Sequence, residues 1–283
     1  MPHVNTNGIQ LAYQHTGEGP AVLLIMGSSA GGQVWTMHQT PALNRAGYRT
    51  VTFDHRGIAP SDAPAGRYSM EDMVADTLGL IEELDLAPCR VVGVSLGSMI
   101  AQELAIRHPE LITCAVLIAT RARADALRVA ITEADRALAD SGVRLPASYA
   151  AVTSAMRLLS PRTLSDSAAA AMWLEVLELS GDSGSGVYGH NWIDTTADHR
   201  EALKGITAPC RVIAFADDLV TPPQLCAEVA DLIPDCDLVE IPDCGHIGYL
   251  ERPEAVNAAI IEFLDKHSQA FQNAQPFGNA LPF

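Results

Sequence analysis

The chain has 283 residues, 48% of them hydrophobic and 18% charged, enough for one sizeable core or a domain with an insertion but not for three domains. Eighteen Lys+Arg against 34 Asp+Glu give a net charge of -16, which repels a nucleic-acid backbone. With no polybasic run to attract an anionic membrane surface either, a small molecule is the expected partner. Apolar runs such as 21–26 and 114–119 are far too short to span a bilayer, and the polar start Met1-Pro2-His3-Val4 lacks a signal-peptide pattern, so a cytoplasmic protein is expected.

Short β-rich runs at 9–14, 21–26 and 48–54 open the chain, followed by helical spacing over 70–85 through Met73, Thr77, Leu80 and Leu84. A fully apolar strand at 90–94 leads into a helix over 96–108, and 114–119 is the next strand. From 120 to 207 the chain is Ala-rich and helical, broken at Pro146, Pro161 and a Gly/Ser loop at 181–186. Strand signals return at 211–215 and 237–241, a final helix covers 253–267, and the tail 268–283 has no periodicity and reads as loosely ordered. Such alternation predicts an α/β fold with a mostly parallel sheet, interrupted by one helical insertion. The six cysteines (Cys89, Cys114, Cys210, Cys226, Cys236, Cys244) form no CxxC and have no His at metal-ligand spacing. Buried reduced thiols are expected, with no metal site and no cofactor.

The chemistry concentrates in Gly93-Val94-Ser95-Leu96-Gly97, a Gly-x-Ser-x-Gly between an apolar strand and a helix. That is where a strained turn would present a serine at the top of a sheet. A serine hydroxyl needs a base within reach and a carboxylate to orient that base. His246 follows the strand 237–241 in Asp243-Cys244-Gly245-His246, whereas His108 ends a helix and His3, His15, His190 and His199 lie in polar surroundings. Asp217 and Asp218 both follow the strand 211–215, and either could supply the acid.

With the order Ser, Asp, His in place, the chain resembles the α/β-hydrolase superfamily over nearly all of 8–267, in its serine-nucleophile, cap-bearing branch of esterases, thioesterases and haloperoxidase-like enzymes. Four further segments carry the likeness. Leu23-Leu24-Ile25-Met26-Gly27 with Trp35 is similar to the strand and loop that usually hold His-Gly. Asp54-His55-Arg56-Gly57-Ile58-Ala59-Pro60-Ser61 is similar to an Asp-x-Arg-Gly-x-Gly-x-Ser turn. Asp218-Leu219-Val220-Thr221-Pro222 matches the acid loop, and Gly245-His246 the histidine loop. Two departures stand out: Met26 replaces the usual His, and Ala59 a Gly. Gly181-Asp182-Ser183-Gly184 resembles the nucleophile segment of trypsin-like proteases, but that fold is all-β and the chain supplies neither its strands nor its histidine motif.

The resemblance implies an α/β-hydrolase core over 1–120 and 208–267, with a helical cap over 121–207 inserted after the sixth strand. It implies a catalytic triad of Ser95, His246 and Asp218, the acid loop favouring Asp218 over Asp217, and an oxyanion hole from the N–H groups of Leu96 and Ser28. The expected reaction is hydrolysis of a carboxylic ester or thioester through an acyl-enzyme. The same triad in relatives runs elimination or perhydrolysis, and a hydrolase-fold receptor is the alternative outside catalysis. A nucleophile serine argues against epoxide hydrolases and haloalkane dehalogenases, which use Asp there. Trp35, Met156 and Trp173 are candidates to line the pocket, Met172, Leu174 and Leu177 alongside them. Seven arginines against four acids in 121–162 make this stretch net positive in an acidic chain. Arg121 and Arg123 directly follow the strand 114–119, so they are candidates to grip a carboxylate, or a phosphopantetheine phosphate on a carrier-bound acyl group; the alternative for these arginines is a solvated helix face.

Overall fold

The computed structural model describes residues 1–180 and 187–274. Among these residues eight strands form one sheet: β1 (His3–Thr6), β2 (Ile9–Thr16), β3 (Ala21–Ile25), β4 (Arg49–Phe53), β5 (Cys89–Val94), β6 (Ile112–Ile118), β7 (Cys210–Phe215) and β8 (Cys236–Ile241). They lie in the order β1-β2-β4-β3-β5-β6-β7-β8. The β1–β2 and β2–β4 pairings are antiparallel, and every pairing from β4 onward is parallel. Residues of β5 and β7 are buried along their whole length, as expected for parallel strands covered on both faces, and so they read as unbroken apolar runs.

The pleat sends alternate side chains into two cores. Leu23, Ile25 and Val91 pack on one face with Leu80, Ile100 and Leu104, while Val22, Leu24, Val92 and Val94 pack on the other with Ile260 and Phe263. Helices α1 (Gln39–Arg45), α2 (Met70–Glu83) and α3 (Leu96–Arg107) flank the first half of the sheet. The start of α2 is fixed by a capping box, in which the Ser69 hydroxyl accepts the Asp72 N–H and the Asp72 carboxylate accepts the Ser69 N–H.

Between β6 and β7 lie only helices and turns among the described residues: α4 (Ala126–Ser141), α5 (Ala147–Leu158), α6 (Pro161–Ser165), α7 (Ser167–Ser180), α8 (Val187–His190) and α9 (Arg200–Leu203). Asp125 caps α4 by accepting the Arg128 N–H, and Gly142 ends it in a left-handed conformation. After β7 come α10 (Pro223–Leu232), α11 (Gly248–Glu251) and α12 (Pro253–Ala274).

The sequence marks no strand before residue 9, and two expectations need correction. The polar N-terminal segment is a strand, because Val4 and Thr6 alternate inward while His3 and Asn5 face water, and β1 pairs along β2. The final helix does not stop at residue 267 but continues to Ala274, so the tail is helical over 268–274; 275–283 lie outside the described residues, as does the loop at 181–186. Cys236 is only partly buried, whereas the other five cysteines are buried; all six are unpaired, with the Cys89 thiol pushed up to about 12 by burial. No helix among the described residues is long and apolar enough to cross a membrane.

Candidate active site

Loops leaving the carboxyl ends of β3, β5, β6, β7 and β8 converge on one side of the sheet, where open parallel sheets place their sites. Ser95 sits between β5 and α3 with φ 53 and ψ -117, a left-handed conformation that strains any non-glycine residue by about 1–3 kcal/mol. The two flanking glycines are what let the turn close. A Cβ on Gly93 would collide with the Gly97 carbonyl, and one on Gly97 with the Ile25 and Met26 carbonyls. The elbow is locked by the Ser95 N–H donating to Ile118 O at 2.9 Å and the Ser98 hydroxyl donating to Ser95 O at 2.6 Å.

His246 reaches back over this turn. Its Nε2 is 3.0 Å from the Ser95 hydroxyl and its Nδ1 is 2.8 Å from Asp218 Oδ2. Asp218 is 2% exposed and accepts, besides the ring, the N–H groups of Val220 and Thr221 on Oδ1 and the Thr221 hydroxyl on Oδ2. Burial would raise this carboxyl, but His246 beside it and the bonds from His246 and Thr221 outweigh that and hold it below the usual carboxylate range. A carboxylate acceptor fixes the proton on Nδ1, leaving the Nε2 lone pair to accept the Ser95 O–H. Asp217 turns away: its N–H donates to Cys244 O, and among the described residues its side chain makes no hydrogen bond.

The loop after β3 crosses close to Ser95, since a Cβ built on Gly27 would lie 3.4 Å from the Ser95 Cβ. Among the described residues neither the Leu96 nor the Ser28 N–H is taken by a protein acceptor. His190, from the end of α8, braces this loop. Its Nε2–H donates to Arg56 O at 2.7 Å, which leaves Nδ1 to accept the Ser29 N–H at 3.4 Å with the Ser28 hydroxyl at the same distance. His55 bonds Met26 O at 2.9 Å from below, so the backbone at the unusual Met26 is held by a ring from the next loop.

A family model described as the α/β hydrolase fold matches residues 20–253. The chain belongs to the α/β-hydrolase family. Among its relatives is a Mycobacterium tuberculosis protein provisionally named as the non-heme bromoperoxidase BpoC, 45% identical over 256 residues, 90% of this chain and 97% of that one. The crystal structure of that protein superposes with a TM-score of 0.87, covering 91% of this chain and 96% of its own. The 3-oxoadipate enol-lactonase 2 of Acinetobacter baylyi is 27% identical over 89% of this chain and 92% of its own. A thermophilic esterase from Thermogutta terrifontis aligns at a TM-score of 0.82 and 28% identity, covering 94% of this chain and 98% of that one.

In this hydrolase two adjoining lobes open on Ser95. The larger, about 570 Å³, is lined by Leu96, Met99, Arg121, Leu127, Ile131 and Ile193 among others; the smaller, about 410 Å³, by Gly27, His246, Ile247 and Tyr249 among others. Three predicted lining residues are elsewhere. Trp35 is buried in the core against the Tyr249 ring, 5.5 Å between centroids. Met156 points to solvent from α5, whose inward row is Ala151, Ser154, Ala155 and Leu158, and it is Arg157 rather than Met156 that meets the cavity. Trp173 is half-buried in α7, which packs outside α5 and α6 and lines neither lobe. Arg123 leaves the cavity to bond Glu228 at 3.1 Å; Arg121 stays in it.

Sequence reasoning missed three residues that hold the site together. Arg128, in α4, donates from Nε to Val220 O at 3.2 Å and from Nη2 to Leu219 O, gripping the loop behind Asp218. Glu251 accepts the Ser160 N–H and hydroxyl and the Thr163 hydroxyl on one oxygen, and on the other the Gly245 N–H at 2.7 Å, next to His246. His190 is the third. The sequence marks none of them, because each ties together separate segments of the chain, largely through backbone groups.

Proposed function

We propose that this protein is a serine hydrolase that cleaves a carboxylic ester or thioester of a small molecule through an acyl-enzyme. The observation that carries the reading is the unbroken hydrogen-bonded line from Ser95 through His246 to Asp218 beneath a two-lobed cavity. Ser95 Oγ attacks the substrate carbonyl carbon while His246 Nε2 takes its proton. The tetrahedral oxyanion lies against the Leu96 and Ser28 N–H groups, which no protein acceptor occupies among the described residues and whose preorganisation is worth about 2.7–4 kcal/mol per donor at such sites. Collapse breaks the bond to the alcohol or thiol, which leaves with the proton from His246. Water, deprotonated by the same ring, then releases the acid and restores Ser95. The smaller lobe contains His246, so it receives the leaving group, and the larger lobe takes the acyl chain.

Mass spectrometry after fluorophosphonate treatment should find the label on Ser95, and Ser95→Ala should lower kcat on a 4-nitrophenyl ester by about 10⁴-fold or more. Labelling elsewhere, or a retained rate, overturns the reading. The name of the M. tuberculosis relative favours a second outcome at the same acyl-enzyme: hydrogen peroxide replaces water as the nucleophile and the product is a peracid. Halide oxidation that requires both peroxide and a carboxylic acid, and disappears in Ser95→Ala, would identify it.

A further inference from the structure

Of the guanidinium groups lining the larger lobe, Arg128 is paired with Asp125 at 2.8 Å and Arg157 with Asp135 at 3.2 Å. Arg121 is different. It is 8% exposed, yet among the described residues it has no carboxylate within ion-pairing distance. Nη2 donates to the carbonyl and hydroxyl of Thr195, both at 3.1 Å; among the described residues Nε is buried without an acceptor and Nη1 makes no hydrogen bond to the protein. The acids that could neutralise it are committed, Asp125 to Arg128 and Asp218 to His246 and Thr221. A buried cation is costly unless it is paired and its donors are used. Here the missing partner has a place to come from, because Arg121 faces the lobe that opens on Ser95.

We propose that the larger lobe selects acyl groups ending in a carboxylate, which Arg121 binds while Ser95 attacks the other end of the chain. This rests on the serine hydrolase reading above and narrows it to monoesters of dicarboxylic acids and their thioester equivalents. The anion is a carboxylate rather than a phosphate because one guanidinium balances one charge; the other two arginines of the lobe already answer to Asp125 and Asp135. The acyl end carries it because Arg121 lines the lobe away from His246, where no leaving group is protonated. Leu127, Ile131 and Ile193 supply apolar walls for the methylenes between the two ends.

The test compares ethyl hydrogen glutarate with ethyl pentanoate, a neutral ester of the same acyl length, by acid release at constant pH. The wild-type protein should prefer the anionic ester by about 10-fold or more in kcat/KM, mostly through KM. Arg121→Gln should lower that preference at least tenfold, and Arg121→Lys should keep part of it by retaining the charge without the fork. A wild-type preference for the neutral ester, or a preference unchanged in Arg121→Gln, overturns the proposal. Calorimetry on wild-type protein covers a variant that fails to fold: glutarate should bind at least tenfold tighter than glutaramide, and equal binding of the two refutes the anion site. If wild-type protein cleaves neither ester, the acyl-enzyme reading falls, while the calorimetry still decides on Arg121 by itself.

Discussion

Replacing Asp218 by Asn would change almost no volume and should nearly stop the enzyme, for a reason that can be read atom by atom. Oδ1 accepts two backbone N–H groups, from Val220 at 2.7 Å and Thr221 at 2.9 Å. An amide nitrogen there would face two donors, so the carboxamide must keep its oxygen at that end. Its NH₂ then takes the place of Oδ2, 2.8 Å from His246 Nδ1. A donor opposite Nδ1 makes that nitrogen the acceptor and sends the ring proton to Nε2, which points at the Ser95 hydroxyl 3.0 Å away. The ring can no longer accept the serine proton. A tautomer error of this kind costs about 10⁴ in kcat, or about 5.5 kcal/mol at 1.36 per decade. The assay is kcat on a 4-nitrophenyl ester for Asp218→Asn and Asp217→Asn, with circular dichroism to check folding. The neighbour should stay within about tenfold, since its side chain bonds nothing in the site. An Asp218→Asn enzyme with more than a tenth of the wild-type rate, or a larger loss at Asp217, would refute the reasoning.

Further outcomes follow from the supporting residues. Glu251→Ala strips acceptors from the buried Ser160 and from the Gly245 N–H, so a urea unfolding curve should show a loss of about 2–4 kcal/mol; a change below about 0.5 kcal/mol contradicts the network. Burial, helped by His190 nearby and opposed by the bond to Met26 O, brings the His55 ring down to about 3. The unfolded chain takes up that proton near its ordinary value of about 6.5 while the folded one does not. Stability is therefore full above about pH 6.5 and lost as pH falls below it, by about 2 kcal/mol at pH 5. A midpoint of unfolding that stays constant from pH 7 to pH 5 would rule this out. Arg128→Ala frees the carbonyls of Leu219 and Val220 and should lower kcat about tenfold with the fold intact; an unchanged kcat would show that the Asp218 loop holds itself.

The parts of this molecule legible in its sequence are those whose signal is local. β5 and β7 are buried on both faces and so appear as unbroken apolar runs, and the elbow announces itself because only glycine fits beside the Gly97 and Ile25 carbonyls. Residue order alone leaves Asp217 and Asp218 open; the resemblance to the family's acid loop ending in Pro222 favours Asp218, and the Val220 and Thr221 N–H groups around Asp218 are a physical reason for that preference. β1 escaped because a four-residue edge strand with two outward polar residues looks like a polar tail. The lining of the cavity escaped for a different reason. Apolar composition does not say which side of a helix faces inward, and on α5 a one-residue difference turns Met156 to water and Arg157 to the cavity. His190, Arg128 and Glu251 work through backbone carbonyls and N–H groups, which every residue type offers and no motif records.

The ties made by Arg128 and Glu251 bear on how this enzyme could be re-engineered. Segments that set substrate choice are attractive to exchange between relatives, and the helices between β6 and β7 are bounded by two clean strand ends. Yet Arg128 on α4 holds the turn behind Asp218, and Ser160 and Thr163 around α6 share Glu251 with the residue before His246. A chimera cut at those strand ends would import a foreign roof and lose the fastenings of the loops that carry Asp218 and His246. A working graft has to bring an Arg128 equivalent on the donor helix and a hydroxyl pair opposite Glu251, so the seam of an interchangeable module runs through side chains in both parts, not along the chain where it enters and leaves.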